Sequence, residues 1–172
     1  IIAGDDIPAD TVRDVPTTHI DVYPFIMDCV GEAGEEMYDE DHLGTSLFDL
    51  ANGTTPDRTI LSEYHAMGST TGAFMIRNGK YKLVYYAKYE PQLFDLEADP
   101  EELTDLAGDP RFADVLADCG AKLRTICDPQ EVDARAKARQ AAQLEANGGR
   151  DTVIARGDLG FSVPPGVAPD FD

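Results

Sequence analysis

Residues 58–100 read RTILSEYHAMGSTTGAFMIRNGKYKLVYYAKYEPQLFDLEADP, and the fold follows from this stretch. Thr59-Ile60-Leu61 leads into Ser62-Glu63-Tyr64-His65, a β-rich run. Residues 72–76 form a second run, and residues 81–86 a third. Asn78-Gly79 stands between the second and third. Asn-Gly between two strands is the usual signature of a type I′ hairpin, which needs positive φ at both central residues. Gln92-Leu93-Phe94-Asp95-Leu96 is a short fourth strand, stopped by Asp99-Pro100. The expectation is an antiparallel sheet with Phe74, Ile76 and Leu83 facing inward. His65 and a Gly68-Ser69-Thr70-Thr71-Gly72 loop sit at one end. Tyr81, Tyr85, Tyr86 and Tyr89 read as aromatic cross-strand pairs rather than a ligand box.

Helical signals flank the sheet. After Pro16-Thr17-Thr18, residues Ile20, Tyr23, Ile26 or Met27, and Val30 recur at helical spacing, so one face is read as core. Thr17 or Thr18 caps this helix, Asp21 suits its positive end, and Gly31 stops it. Pro24 fits only near the first turn. His19 reads as a capping or surface residue. Ile1 to Ala3 reads as the end of a buried strand. Residues 32–41 are acidic and irregular, and residues 54–57 are a linker. Asp109-Pro110 opens a second helix with the stripe Phe112, Val115, Leu116, Leu123 and Ile126, weakened at Gly120. Asp128-Pro129 starts a third, rich in Ala, Arg and Gln, which ends at Asn147-Gly148-Gly149. The tail beyond Val163 carries Pro164, Pro165, Gly166 and Pro169, so an extended segment is expected.

Composition excludes several function classes. The 172 residues include 33 acidic and 14 basic side chains, a formal net charge of -19. That opposes binding to nucleic acid, which needs Lys and Arg on phosphates, and to anionic membranes. No stretch approaches the ~18 apolar residues of a membrane span. Cys29, Cys119 and Cys127 make no metal spacing and no even disulfide set, so buried or free thiols in a reducing compartment such as the cytoplasm are expected.

Catalytic chemistry is sparse. The three histidines form no H-x-x-x-H pair, and no nucleophile elbow, P-loop or dinucleotide fingerprint is present. Asp5-Asp6 is an adjacent carboxylate pair, read as a solvated turn because no further ligand stands nearby. The loop from Gly68 to Gly72 offers backbone N–H groups to an anion, or is a plain strand connection. From the residues alone the reading stops at an acidic α+β domain.

Several local signatures, taken in order, carry a resemblance. Ile1-Ile2-Ala3-Gly4 with Ile7-Pro8-Ala9 comes first, then Val15-Pro16-Thr17-Thr18-His19-Ile20-Asp21-Val22-Tyr23-Pro24, then Gly44-Thr45-Ser46-Leu47. Ser62-Glu63-Tyr64-His65, Phe74-Met75-Ile76-Arg77-Asn78-Gly79-Lys80-Tyr81-Lys82 and Gln92-Leu93-Phe94-Asp95-Leu96-Glu97-Ala98-Asp99-Pro100-Glu101-Glu102 follow. Together they resemble the C-terminal third of a sulfatase, of the alkaline phosphatase superfamily, nearest to choline-sulfatase-like members. The resemblance covers the chain to about Ala138.

It implies that residues 1–53 end a large α/β domain, 54–127 form a small antiparallel-sheet subdomain with a helix, and 128–172 are a helical extension with a Pro-rich tail. A homo-oligomer through that extension is one expectation. The parent enzyme would hydrolyse a small sulfate ester, using a formylglycine and a divalent cation, usually calcium. The motif that yields formylglycine in the family, C-x-P-x-R, lies outside this chain. Cys127-Asp128-Pro129-Gln130-Glu131 mimics its first and third positions but has Glu131 where the family has Arg, so no catalytic or metal residue is assigned. The first strand of the small subdomain leads towards the substrate in such enzymes. This makes His65 a substrate-positioning candidate, with Ser69 and Thr70 at the rim. A non-catalytic binding or oligomerisation module, and a phosphodiester or phosphonate monoester hydrolase of the same superfamily, remain as alternatives.

Overall fold

The computed structural model describes residues 1–31, 43–53, 58–65 and 69–157. Two compact units divide the chain, residues 1–129 and 130–172. The expected acidic stretch, the linker and the Pro-rich tail lie outside the described residues, as does Gly68.

The first unit is built on a four-stranded antiparallel sheet in the order β1-β2-β3-β4, with strands Thr59–Tyr64, Ala73–Asn78, Tyr81–Tyr86 and Gln92–Asp95. The α+β class is therefore that expected. Leu61, Ile76, Leu83 and Leu93 align across the sheet, because the period of two puts their side chains on one face. Helix α3, Ala113–Ile126, covers that face. Phe74, Ile76, Leu83, Leu93, Cys119 and Leu123 are almost wholly buried there. Lys122 Nζ donates to Asn78 Oδ1 at 2.9 Å, and the Arg124 guanidinium lies 5.6 Å over the Tyr85 ring.

The hairpin turn differs from expectation. Asn78 pairs with Tyr81 as the last residue of β2. Among the turn's central residues only Gly79 has positive φ, at 56°. The centres are thus Gly79-Lys80, the type II′ arrangement with Gly first. The Asn78 side chain serves the packing of α3 instead: besides Lys122 it reaches Asp118 Oδ2 at 3.3 Å. The tyrosines pair in part as expected. Tyr85 faces Phe74 across β2 and β3, an aromatic cross-strand pair, while Tyr86 faces Ala73; Tyr86 and Tyr89 meet edge to face at 6.5 Å.

After β4 the chain turns through a series of aspartate-capped bends. Asp95 Oδ1 accepts from the N–H groups of Glu97 and Ala98, both at 3.1 Å. Asp99 accepts from Thr104 N. Asp105 Oδ1 accepts from Leu93 N at 3.0 Å, while Leu106 N donates to Leu93 O at 2.8 Å. Side-chain oxygens thus satisfy backbone groups that the short β4 leaves open.

On the N-terminal side, a 3-10 turn over His19–Asp21 runs into α1, Val22–Val30, closed by Gly31 at φ 77°. Pro24 sits in the first turn of α1 and is buried. Helix α2 spans Leu47–Asn52, with Ser46 as its cap, and Phe25 meets Phe48 at a ring separation of 5.0 Å. Two expectations fail here. Residues 1–3 are not a strand, since no described strand lies alongside to pair with them. The predicted core face of α1 is open: Ile20, Tyr23, Ile26 and Val30 are 50, 45, 52 and 62% exposed. The buried members of this turn and helix are Asp21 and Pro24.

Helix α4 spans Pro129–Ala146, and α5 spans Gly149–Arg156. Helix α5 was not foreseen. Helix α4 ends at Ala146, before Asn147-Gly148-Gly149 as expected; Gly148 and Gly149, with positive φ of 90° and 82°, then lead into α5.

Candidate functional site

The end of the sheet where β1 finishes and β2 begins carries the residues singled out from the sequence. Strand alternation puts Glu63 and His65 on the same side, and Glu63 lies opposite Phe74 in the register. His65 Nε2 is 3.0 Å from Glu63 Oε2. Its ring stands edge-on to Phe74 at 5.3 Å and 78°, and its side chain is only 21% exposed. Gly72 makes room for it. A Cβ at that position would lie 2.8 Å from the imidazole Cε1, 2.9 Å from Nδ1 and 3.0 Å from Phe74. The imidazole is therefore clamped between a carboxylate, a ring and a bare backbone.

The hydroxyls of the following loop have other partners. Ser69 Oγ donates to Thr71 O at 2.5 Å, within its own turn. Thr70 Oγ1 and Tyr89 OH share a hydrogen bond at 3.1 Å. Tyr89 is 63% exposed. Tyr86 is fixed in turn, its OH donating to Gln92 Oε1 at 3.0 Å. Sequence reasoning singled out His65, Ser69 and Thr70 but missed Glu63 and Tyr89 as their partners. Glu63 was within reach, because i and i+2 on a strand share a face. Tyr89 needed the path of the β3–β4 loop.

Among the described residues of the first unit, the most enclosed charged group is elsewhere. Asp21 is 0% exposed and accepts four hydrogen bonds: Thr18 N at 2.8 Å, Thr45 N at 2.9 Å, and Arg58 Nη1 and Nη2 at 3.0 and 2.7 Å. Burial pushes its carboxyl up, but the Arg58 guanidinium and the Thr45 and Thr18 N–H groups outweigh this and hold it below the usual carboxylate range. Arg58 also donates to Pro16 O at 3.1 Å. The pair joins the segments before α1, before α2 and before β1. Every acceptor direction is spent on structure, so this perturbed carboxylate is a fastening and not an acid-base catalyst.

Cys127 is the C-cap of α3 and half-buried. Burial and the nearby Glu63 and Asp128 carboxylates push its thiol up, the reverse of what an activated nucleophile requires. Among the described residues no three His, Cys, Asp or Glu side chains converge on a metal position. These residues do not fit a calcium site. No described helix is long and apolar enough to cross a membrane.

The comparisons with known proteins accord with this architecture. Residues 4–133 match the family model for N-sulphoglucosamine sulphohydrolase, C-terminal. The chain is 43% identical over 111 residues to choline-sulfatase of Rhizobium meliloti (strain 1021), covering 64% of this chain and 21% of that protein. It is 30% identical over 146 residues to arylsulfatase K of Mus musculus, covering 78% and 25%. A 2-O GAG sulfatase structure superposes with a TM-score of 0.53 at 28% identity, over 68% of this chain and 24% of that one. A putative sulfatase from Bacteroides thetaiotaomicron gives 0.52 at 28% identity, with the same coverage. The chain thus spans about a quarter of the length of the relatives it matches. On the family match across most of its residues, supported by the four-stranded sheet and its capped turns, the chain belongs to the sulfatase family, in that family's C-terminal part.

Proposed function

We propose that this chain is the C-terminal part of an enzyme that hydrolyses sulfate monoesters. It supplies the small sheet subdomain and part of the rim of the substrate pocket, and it is catalytically silent alone. The observation that carries this reading is the family match over residues 4–133, combined with relatives four to five times the matched length. Residues 1–53 then belong to the large domain, 54–127 to the small one and 128–172 to an extension. Formylglycine and calcium would come from the remainder of the enzyme.

His65 is the residue proposed to face the substrate, with Ser69 and Thr70 as secondary candidates at the rim. Glu63 Oε2, 3.0 Å from Nε2, holds the imidazole in one orientation at the end of the sheet. A small organic sulfate ester is the substrate class, choline sulfate being one candidate because of the choline-sulfatase likeness. The test pairs two preparations. The purified chain alone should release no sulfate from p-nitrophenyl sulfate or choline sulfate. In the sulfatase-length protein, His65→Ala should lower kcat/KM at least tenfold with little change in melting temperature. Robust hydrolysis by the chain alone would overturn the first part. Normal turnover per folded molecule would overturn the role of His65.

A further inference from the structure

Tyr89 stands outside the strands. Strand β3 ends at Tyr86 and β4 starts at Gln92, so Tyr89 belongs to the connection between them and takes no part in a cross-strand pair. That connection is stitched to the residues that follow His65. Ala87 N donates to Gly72 O at 3.1 Å, and the Tyr89 hydroxyl meets Thr70 Oγ1 at 3.1 Å. The Tyr89 ring also stands edge to face with Tyr86 at 6.5 Å and 71°, and the Tyr86 hydroxyl is itself anchored on Gln92. Tyr89 is thus held at its hydroxyl and along its ring, yet remains 63% exposed. A single edge contact leaves much of the ring's π surface open. The side chain has already given up its rotamer freedom in the folded chain, so a ligand that settles on the ring meets a preorganised surface.

We propose that Tyr89 is a specificity-determining residue, whose ring receives a cationic group on the alcohol part of the sulfate ester. This rests on the functional reading above and narrows it to esters of alkylammonium alcohols. The face of a tyrosine ring is electron-rich and attracts an ammonium group. Two observations leave this face to a cation from outside the chain. Among the described residues, the cations seated on rings are on others: Lys80 over Tyr81, Arg111 over Phe112 and Arg124 over Tyr85. Lys88 and Glu90 flank Tyr89 in sequence and offset each other, so the chain's formal charge of -19 sets the field and draws cations to the surface. The position is suited as well. Gly72, bonded to Ala87, is also the residue against which the His65 imidazole packs. The ring therefore lies at the same end of the sheet as His65, Ser69 and Thr70. An ester with an anionic and a cationic end has a separate resting place there for each.

The experiment uses the sulfatase-length protein with choline sulfate, whose alcohol is cationic, and p-nitrophenyl sulfate, whose alcohol is not. Tyr89→Leu should raise KM for choline sulfate about fivefold or more with kcat little changed, and leave KM for p-nitrophenyl sulfate within about twofold. Tyr89→Phe keeps the ring and drops the hydroxyl, so it should stay within about threefold of wild type on both esters. A role limited to holding the loop through Thr70 would make Tyr89→Phe as harmful as Tyr89→Leu on both esters alike, and would overturn the proposal. An unchanged KM for choline sulfate in Tyr89→Leu would do the same. Binding of choline chloride to the same proteins, followed by titration calorimetry, is read without turnover and should weaken by a similar factor in Tyr89→Leu. A protein that binds choline through Tyr89 but releases no sulfate from either ester would refute the functional reading and leave the cation site standing. Sulfate release with choline binding indifferent to Tyr89 would do the reverse. Absence of both choline binding and choline sulfate turnover in the wild type would sink the proposal too.

Discussion

Replacing Arg58 by Met tests the central fastening of this domain. The substitution keeps an unbranched side chain of similar length and removes only the guanidinium. Asp21, 0% exposed, then keeps two backbone donors, Thr18 N and Thr45 N, and loses both bonds to its cation. Breaking a buried ion pair from one side costs about 3–5 kcal/mol, because the remaining charge is left without compensation. A domain of this size holds roughly 5–15 kcal/mol in total, so the loss is a large share of it. At about 3 °C per kcal/mol the melting temperature should fall by roughly 10–15 °C. Asp21→Asn alone should also be costly, since its amide would turn an N–H towards donors. The double variant Asp21→Asn with Arg58→Met should lose less than the two single losses added, by roughly 2 kcal/mol or more, because no buried charge remains. Urea denaturation followed by circular dichroism, with all four proteins at pH 7, measures this cycle. Single losses below about 1 kcal/mol, or strict additivity, would refute the reasoning.

Three further expectations follow from the same geometry. Asp21, with its carboxyl below the ordinary 3.8, gives up its proton more readily in the folded chain than in the unfolded one; its contribution is complete above the unfolded value and is lost as pH falls through the lowered one, so the gap between wild type and Arg58→Met should close below about pH 3.8 and a gap constant from pH 7 to 2.5 would contradict it. Gly72→Ala should destabilise by about 1–3 kcal/mol, since the new methyl meets His65 and Phe74 at 3.0 Å or less, and most of that loss should vanish in a His65→Ala background; an equal loss in both backgrounds would point to the backbone instead. Thiol labelling under native conditions should reach exposed Cys29 first, half-buried Cys127 later, and Cys119 only on unfolding; early labelling of Cys119 would mean that α3 is not seated on the sheet.

The sheet was legible because its information is local. Alternation, β-rich runs and Asn78-Gly79 located all four strands to within a residue or two, and Phe74, Ile76 and Leu83 were placed inward correctly. The turn type was misread because Asn78 has a packing partner on α3, 40 residues later in the chain. The Asp21–Arg58 pair, 37 residues apart, left no local trace; Asp21 by itself looked like an ordinary helix-start acid. The α1 stripe was read correctly as apolar, but periodicity cannot say what covers an apolar face. Cys119 packs in the α3 stripe as a small hydrophobe, a place that the spacing of three cysteines does not single out from the other two. His65, Ser69 and Thr70 were selected from loop position and family likeness. What the sequence could not convey is that each is already bound: the imidazole to Glu63, and the hydroxyls to Thr71 and Tyr89.

The strand order β1-β2-β3-β4 also has a bearing on the time course of folding. Every strand pairs with its neighbour in sequence, so each closure joins a short loop at small entropic cost. Such a meander can grow outward from the β2–β3 hairpin, whose two-residue turn makes it the cheapest pairing to start. The link between Asp21 and Arg58 closes a much longer loop, and its geometry needs β1 to be in place first. A nascent chain would therefore acquire a hairpin, then a sheet under α3, and only afterwards a fixed α1. The segment around α1 is thus the last part of the first unit to be fixed, although it stands first in the chain.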